Sequence, residues 1–290
     1  MPVVADNNLL FCEGKPNSFD FLILNRLVDG TSFTVKPAEG KFGLNAFMDG
    51  FMAGAKRSGG RIVAFRDRDF DAMPPSEAGL IRLRGTETKE VYLSHRACIE
   101  NYMLDPMVIH RYWTKSSDGP LWRYGPAPAV EQIQHWIEES ARDIADYQAV
   151  RWALATLKPG DYWPKVDTTW TEGSGALPVS LERASCMEKA ETLVRTFGHD
   201  VGLVNVDALR SNAAQYIERF RDASFWEGGS YAIWFHGKDL MKSMHRKQPK
   251  WLSLKACFES ASETLDWTTC PDLVELSKIL SRPNTDASRR

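Results

Sequence analysis

The sequence has few cysteines, and their number and spacing are not those of a disulfide framework or a zinc site. The chain of 290 residues contains five cysteines, an odd number, and no two of them are spaced as C-x-x-C. This pattern argues against a set of disulfides and against a structural zinc site. We therefore expect reduced thiols and a cytoplasmic location.

The sequence also lacks a long apolar segment and a strong charge of either sign. No apolar run approaches the ~20 residues that a membrane span requires, and the N-terminus has no basic-then-apolar leader pattern. The formal net charge is -2, so the protein as a whole does not attract a polyanion. A nucleic acid would have to be bound by a local basic patch or through a metal ion, and we expect no membrane partner.

Neither of the common phosphate-binding loops is present. The stretch LLFCEGKP contains a Gly-Lys pair, but a Walker loop would need glycine at Leu9 and a hydroxyl residue at Pro16. The stretch GSGALP ends on Pro178, where a dinucleotide-binding fingerprint needs glycine. The chain therefore does not bind ATP through a Walker loop.

The first third of the sequence does contain alternating strand-like and helix-like segments. The strand-like segments are apolar on both faces and read NLLFC, SFTVKP, RIVAF and EVYLS. This alternation predicts an α/β fold with a mostly parallel sheet and flanking helices. Later segments predict one long helix in AVEQIQHWIEESARDIADYQAVRWALATL and further helices at 181–197 and 205–222. We predict three segments: an α/β core at 1–110, a mainly helical insertion at 111–227 and a return segment with C-terminal helices at 228–290.

Acidic residues follow two of the predicted strands. Glu13 comes directly after NLLFC, and Asp67, Asp69 and Asp71 follow RIVAF at a spacing of two, which in a strand would put them on one side. The carboxyl ends of strands in an open α/β sheet form the ligand crevice, so neighbouring strands would bring these acids together. Carboxylate oxygens in this number suit Mg²⁺ or Mn²⁺ beside a phosphate. The alternative is a solvated turn, in which D-x-D is common.

Four segments together resemble the Toprim fold. They read LLFCEGKPNSFDFLILNRL, RIVAFRDRDFD, RACIENYMLDP and YAIWFHGKDLMKSM. The resemblance is to Toprim-like nucleases found beside or fused to ABC-type ATPases in bacterial phage defence, such as the OLD-type nucleases and the toxin subunit of the PARIS system. It implies that Glu13 is a catalytic or metal-binding residue, that Asp67, Asp69 and Glu100 are metal ligands, and that Lys238 is a catalytic lysine. The sequence departs from the family in that it has no ATPase motif.

The resemblance also implies a function. It predicts a Mg²⁺- or Mn²⁺-dependent nuclease that acts as a toxic RNA endonuclease, with tRNA as the favoured substrate. It also predicts that an ABC-type ATPase partner controls this nuclease. A DNA nuclease of OLD type and a non-catalytic, Mg²⁺-binding Toprim interaction module remain alternatives. The oligomeric state is also left open, and a homodimer is one alternative.

A cluster of basic residues follows the late lysine and includes one aromatic residue. We predict that this cluster binds nucleic acid, with the cations on phosphates and the aromatic ring stacked on a base. The alternative is a helix-terminal charge run on a solvated face. The cluster consists of Lys242, Arg246, Lys247, Lys250 and Trp251.

Overall fold

The structure is a computed structural model. It describes residues 8–40, 43–44, 46–48, 50–51, 60–83, 90–157, 166, 168, 170, 177–201 and 204–282. The chain divides into two compact units: unit 1 comprises residues 1–68, 74–103 and 255–290, and unit 2 comprises residues 69–73 and 104–254. The predicted return segment 228–290 is therefore shared between the two units.

Unit 1 contains a five-stranded sheet with strand order β2-β1-β3-β5-β4. Neighbouring strands run parallel except β4 and β5, which are antiparallel. The predicted α/β class with a mostly parallel sheet is confirmed. The strands are β1 Asn8–Cys12, β2 Phe33–Pro37, β3 Ile62–Arg66, β4 Ile81–Arg82 and β5 Glu90–Leu93.

Ten further elements of the described chain are α-helices. They are α1 Phe19–Leu27, α2 Pro106–Ser117, α3 Val130–Thr156, α4 Arg183–Val201, α5 Val206–Arg221, α6 Ala223–Glu227, α7 Tyr231–Trp234, α8 Gly237–Lys247, α9 Leu254–Thr264 and α10 Pro271–Leu280. Residues 43–44, 46–48 and 50–51 are also helical. Short 3-10 helices span Ile99–Tyr102 and Trp267–Thr269.

The sheet is buried on both of its faces. Side chains alternate between the faces of a strand, and Leu10, Phe11 and Cys12 of β1 are all buried. On one face, Phe11 belongs to an apolar cluster that includes Leu44 and Met48 of the helical residues after β2. Burial on both faces explains why the strand sequences are continuously apolar.

The direction of the strand order reverses between β1 and β3. From β1 the chain proceeds to β2 on one side, and β3 then lies on the other side of β1. Such a reversal opens the crevice at the carboxyl ends of the strands where ligands bind in α/β folds. The strands that precede Glu13 and Asp67 are neighbours, since β1 and β3 pair in parallel.

A buried carboxylate connects α10 to the chain after β5. Asp272, in the first turn of α10, accepts a hydrogen bond from the His95 backbone N–H at 2.8 Å and another from the Tyr102 hydroxyl. The His95 ring is 6% exposed, and its burial lowers the pKa of the imidazole. We interpret His95 as a packed, neutral residue.

Unit 2 is built around the long helix α3, which contacts α2, α4, α5 and α8. The predicted long helix is confirmed, as are the predicted helices near α4 and α5. Trp136 and Trp152 of α3 are 4% and 1% exposed, as expected for core residues. No helix in the described ranges is long and apolar enough to cross a bilayer.

Candidate functional site

The turn after β1 places Glu13 at the crevice and leaves little space for a side chain on the next residue. A Cβ on Gly14 would lie 2.0 Å from the Ser18 hydroxyl oxygen and 2.2 Å from a carboxylate oxygen of Asp20. The Gly14 N–H donates to Asp20 at 2.7 Å, and the Glu13 carbonyl accepts from the Gly40 N–H at 2.7 Å. These bonds fix the backbone on both sides of the Glu13 side chain.

The Glu13 carboxylate lies beside the last residue of β3. Its Oε1 is 2.9 Å from Nε of Arg66, and the side chains are 17% and 11% exposed. The ion pair forms because β1 and β3 are neighbours and each residue stands at the carboxyl end of its strand. Arg66 therefore offsets the charge of Glu13.

The three aspartates do not share one side of a strand, because β3 ends at Arg66. Arg68 is fully buried, and its Nε donates to the His95 carbonyl at 3.1 Å. Asp69 has a φ of 47°, a left-handed backbone that aspartate tolerates better than most residues. The chain turns at this point, so that Asp67 belongs to unit 1 and Asp69 to unit 2.

Asp67 belongs to a compact acidic cluster of unit 1. One ligand atom each from Asp67, Cys98 and Glu100 lie within 4.8 Å of one another. Asp67 also accepts a hydrogen bond from the Ile99 N–H at 2.9 Å, which attaches it to the 3-10 helix that follows β5. The structure thus brings together two of the predicted metal ligands, Asp67 and Glu100. Glu13 is not a member of this group.

The donor atoms of this cluster fit a hard divalent cation better than a soft one. Asp67 and Glu100 offer carboxylate oxygens, which Mg²⁺ and Mn²⁺ prefer. Cys98 is fully buried, and its thiol donates to the Asn101 side-chain oxygen at 3.1 Å. A thiol that donates a hydrogen bond keeps its proton, whereas a metal-binding cysteine must lose it. Two carboxylates with added waters are therefore the fitting ligand set.

In unit 2, Asp69 forms a pair with a histidine that the sequence analysis did not select. The His236 Nε2 lies 3.1 Å from Oδ1 of Asp69, and the side chains are 12% and 23% exposed. His236 precedes the first residue of α8 in the stretch FHGKDL. The only sequence signal was its position two residues before Lys238, which does not identify a partner 167 positions away.

Lys238 is the second residue of α8, and its side chain is exposed. Lys238 therefore lies in the first turn of this helix. Backbone N–H groups at such an end attract anions and repel cations, so the location of a lysine there suits a phosphate-binding role.

One member of the basic cluster has acidic neighbours. Lys247 lies 3.1 Å from Asp143 and 3.5 Å from Glu139. Trp251 packs edge-on against Trp136 with ring centroids 4.8 Å apart. Both tryptophans line a groove of about 620 Å³. These contacts favour a structural role for Lys247 and Trp251.

Two of the remaining basic residues are more accessible. Arg246 and Lys250 are exposed, whereas Lys242 is half-buried on α8, like Lys247, and helps to lower the pKa of Asp239. Arg246 and Lys250 retain the accessibility that contact with a phosphate backbone needs.

Comparison with known proteins does not extend the resemblance. No protein-family model matches the sequence, and no curated protein matches it either. The likeness to Toprim nucleases thus rests on the four sequence segments.

Proposed function

We propose that the protein is a metal-dependent nuclease of Toprim type, with unit 2 as a large helical insertion. The observation that carries this proposal is the grouping of Asp67, which follows β3, with Glu100, which follows the neighbouring strand β5. Carboxylates brought together at this edge of an α/β sheet suit a cation that binds a phosphate.

The predicted residues take separate roles in this proposal. Asp67 and Glu100 would hold Mg²⁺ or Mn²⁺. The cation would supply positive charge for the phosphodiester oxygens and lower the pKa of a water molecule. Glu13 would accept a proton from the attacking water. The resemblance assigns a metal-ligand role to Asp69 and a charge-stabilising role to Lys238, and both roles stay predictions from the sequence.

RNA is the favoured substrate, with tRNA as its most specific form, and this choice rests on the resemblance to the PARIS toxin. The same resemblance supports an antiviral role under the control of an ABC-type ATPase. A cytoplasmic location fits the thiols, since all five cysteines, which lie within the described ranges, are buried and free. A DNA substrate is the alternative within the nuclease class.

A non-catalytic, Mg²⁺-binding module is the second candidate. The ion pair of Glu13 with Arg66 favours it, because the carboxylate already serves to hold a neighbouring cation. The nuclease proposal requires Glu13 to act despite this neighbour.

The experiment compares RNA and DNA cleavage by purified protein in Mg²⁺, Mn²⁺ or EDTA. We expect metal-dependent cleavage that falls roughly 10²-fold or more in Asp67→Asn, the scale of one lost charge-stabilising contact. Asp71→Asn, from the same loop but outside the cluster, serves as the matched control and should cleave normally. Metal-independent cleavage, or equal loss in both variants, would contradict the proposal. Metal binding without cleavage by the folded wild type would support the module instead.

A further inference from the structure

The segment that runs from the second half of α2 into the loop after it combines aromatic and basic side chains. Residues 111–124 of unit 2 read RYWTKSSDGPLWRY. Arg111, Lys115 and Arg123 are exposed, and three cations with one aspartate give this segment a net charge of +2. The whole chain has a formal net charge of -2, so the segment is a local basic surface on a protein that is not basic.

Two aromatic rings of the loop are accessible. Trp122 and Tyr124 are half-buried, and their rings meet edge to face with centroids 5.0 Å apart. The guanidinium of Arg123 lies 5.1 Å from the centroid of the Tyr124 ring, and it donates to the Tyr124 hydroxyl oxygen at 3.1 Å. The neighbouring Leu121 is 94% exposed. A cation therefore lies beside two accessible rings.

A buried tryptophan holds the Trp122 ring in place. Trp113 is 1% exposed, and its ring centroid lies 6.2 Å from that of Trp122. The indole N–H groups of Trp113 and Trp122 donate to the same Gly125 carbonyl, at 3.0 Å and 2.6 Å. Gly125 has a φ of 75°, which glycine adopts without strain. Trp113 also packs edge-on against Trp251, with centroids 5.5 Å apart. The loop thus presents the Trp122 ring from a fixed support.

The helix α2 adds a second cation near this ring. Tyr112 of α2 packs edge-on against Trp122, with ring centroids 6.3 Å apart. Lys115 follows Tyr112 by three residues and therefore lies on the same face of α2. Lys115 and Arg123 are both exposed, so two cations accompany the Trp122 ring.

Accessible aromatic rings beside exposed cations are the arrangement with which proteins bind single strands of nucleic acid. Unpaired bases stack on the rings, and phosphates contact the cations. The exposed Leu121 would also suit an apolar protein partner, but the exposed cations favour a polyanion. We propose that Trp122, Arg123 and Tyr124 form a stacking platform for unpaired bases of a nucleic acid. This role goes beyond the proposed function, because such binding needs neither a metal ion nor cleavage.

Two substitutions of Trp122 separate base stacking from support of the loop. Trp122→Phe and Trp122→Leu both remove the indole N–H that donates to Gly125, but only phenylalanine keeps an aromatic face. Trp226→Leu is the matched control for the loss of an indole elsewhere in unit 2. Trp226 is a half-buried residue of α6, and the guanidinium of Arg142 lies 4.2 Å from its ring centroid.

Binding of the full-length protein to fluorescein-labelled oligouridine and oligoadenosine is measured by fluorescence anisotropy in EDTA. Trp122→Leu should weaken binding of both strands about 5- to 150-fold, the equivalent of ~1–3 kcal/mol for one stacked base. Trp122→Phe and Trp226→Leu should stay within about threefold of wild type. Arg123→Met should lower the salt dependence of binding by about one unit. Equal loss in the Leu and Phe variants of Trp122, or no loss in either, would overturn the platform.

A duplex and a measurement of assembly test what occupies the platform. The affinity for the duplex formed from the same two strands should be equal in wild type and Trp122→Leu, because paired bases have no free face for the ring. A loss for the duplex as large as that for the single strands would contradict base stacking. Leu121→Ser should leave the sedimentation of the protein unchanged. Dissociation of an oligomer by Leu121→Ser would show a protein interface here and remove the inference.

A measurement on the wild type covers the case in which a variant does not fold. A single strand that carries iodouridine is irradiated on the protein, and mass spectrometry locates the cross-links. They should fall on the peptide that contains Trp122 and Tyr124, and cross-links confined to other peptides would overturn the platform.

Failure of the proposed function gives a different result from failure of the platform. A wild type that binds single strands in EDTA but cleaves nothing with metal removes the function and keeps the platform. A wild type that cleaves with metal, while Trp122→Leu binds single strands normally, removes the platform alone.

Discussion

Both units bury charged side chains, but they group them in opposite ways. In unit 2, Arg151 and Asp239 pair as opposite charges beneath the aromatic ring of Phe70. In unit 1, Asp67 and Glu100 lie together as two acids beside a thiol. Opposite charges satisfy each other and hold a fold, whereas neighbouring carboxylates offer a ligand set for a divalent cation. The comparison distinguishes a structural polar cluster from a candidate binding site.

The largest expected effect comes from breaking the opposite-charge pair. Burial acts to raise the pKa of Asp239, but Arg151 and His236, with the Gln148 hydrogen bond, outweigh it and hold this pKa below its usual range. Arg151→Leu leaves a buried carboxylate without its main cation, so the free energy of unfolding should fall by about 3–5 kcal/mol. Denaturant unfolding at pH 7 measures the loss.

The pH dependence of this loss provides its control. Without Arg151, burial raises the folded-state pKa of Asp239 above its unfolded value, and the penalty then applies mainly above that folded pKa. The deficit should therefore shrink as the pH falls through that folded-state pKa. The double variant Arg151→Leu with Asp239→Leu should recover much of the stability, and a deficit independent of pH would contradict the assignment of the pair.

The next effect concerns Glu13, which forms an ion pair with Arg66 in unit 1. Glu13→Gln keeps the shape of the side chain but cannot act as a base, so cleavage should fall roughly 10²-fold or more with little loss of stability. Single-turnover cleavage and thermal unfolding measure the two quantities. Normal cleavage by the folded variant would show that Glu13 serves only to hold Arg66.

The dependence of the free energy of unfolding on metal concentration tests the cluster of Asp67 and Glu100 directly. A cation that binds only the folded state at 100 times its Kd should add about 2.7 kcal/mol to the free energy of unfolding. The melting temperature should therefore rise in millimolar Mg²⁺ or Mn²⁺. The rise should vanish in Asp67→Asn combined with Glu100→Gln and persist in the surface control Asp118→Asn. An equal rise in the double variant would mean that the ions bind elsewhere.

The smallest effect distinguishes two lysines of the basic cluster. Lys247 has Asp143 and Glu139 beside it, so Lys247→Met should cost less than about 1 kcal/mol of stability and leave RNA affinity nearly unchanged. Lys250→Met removes an exposed cation and should weaken binding while lowering its salt dependence by about one unit. Binding titrations at several salt concentrations decide this, and equal weakening in both variants would contradict the distinction.

The sequence predicts the strands and helices well because their signals are local. NLLFC and RIVAF are mostly apolar, and both lie in strands that have buried residues on two faces. The acidic residues that follow these two segments can be identified from the sequence because they stand directly after the strands. Their partners are not, because Arg66 meets Glu13, and Cys98 meets Asp67, only once β1, β3 and β5 lie side by side.

The separation of Asp67 from Asp69 could not be predicted from a spacing of two. Strand geometry would put both carboxylates on one side, but the strand ends at Arg66 and the backbone of Asp69 is left-handed. His236 was missed because its partner is distant in sequence. Helix periodicity places His236 before α8 but says nothing about its contact with Asp69.

The contact of Phe70 with Trp152 gives the molecule an optical reporter. The two rings meet edge to face, with centroids 5.0 Å apart, and Phe70 directly follows Asp69. Indole emission depends on the rigidity and polarity around the ring, and Trp152 is shielded from water. A change in the order of the Asp69 backbone would therefore alter the fluorescence of Trp152, without any label attached to the chain.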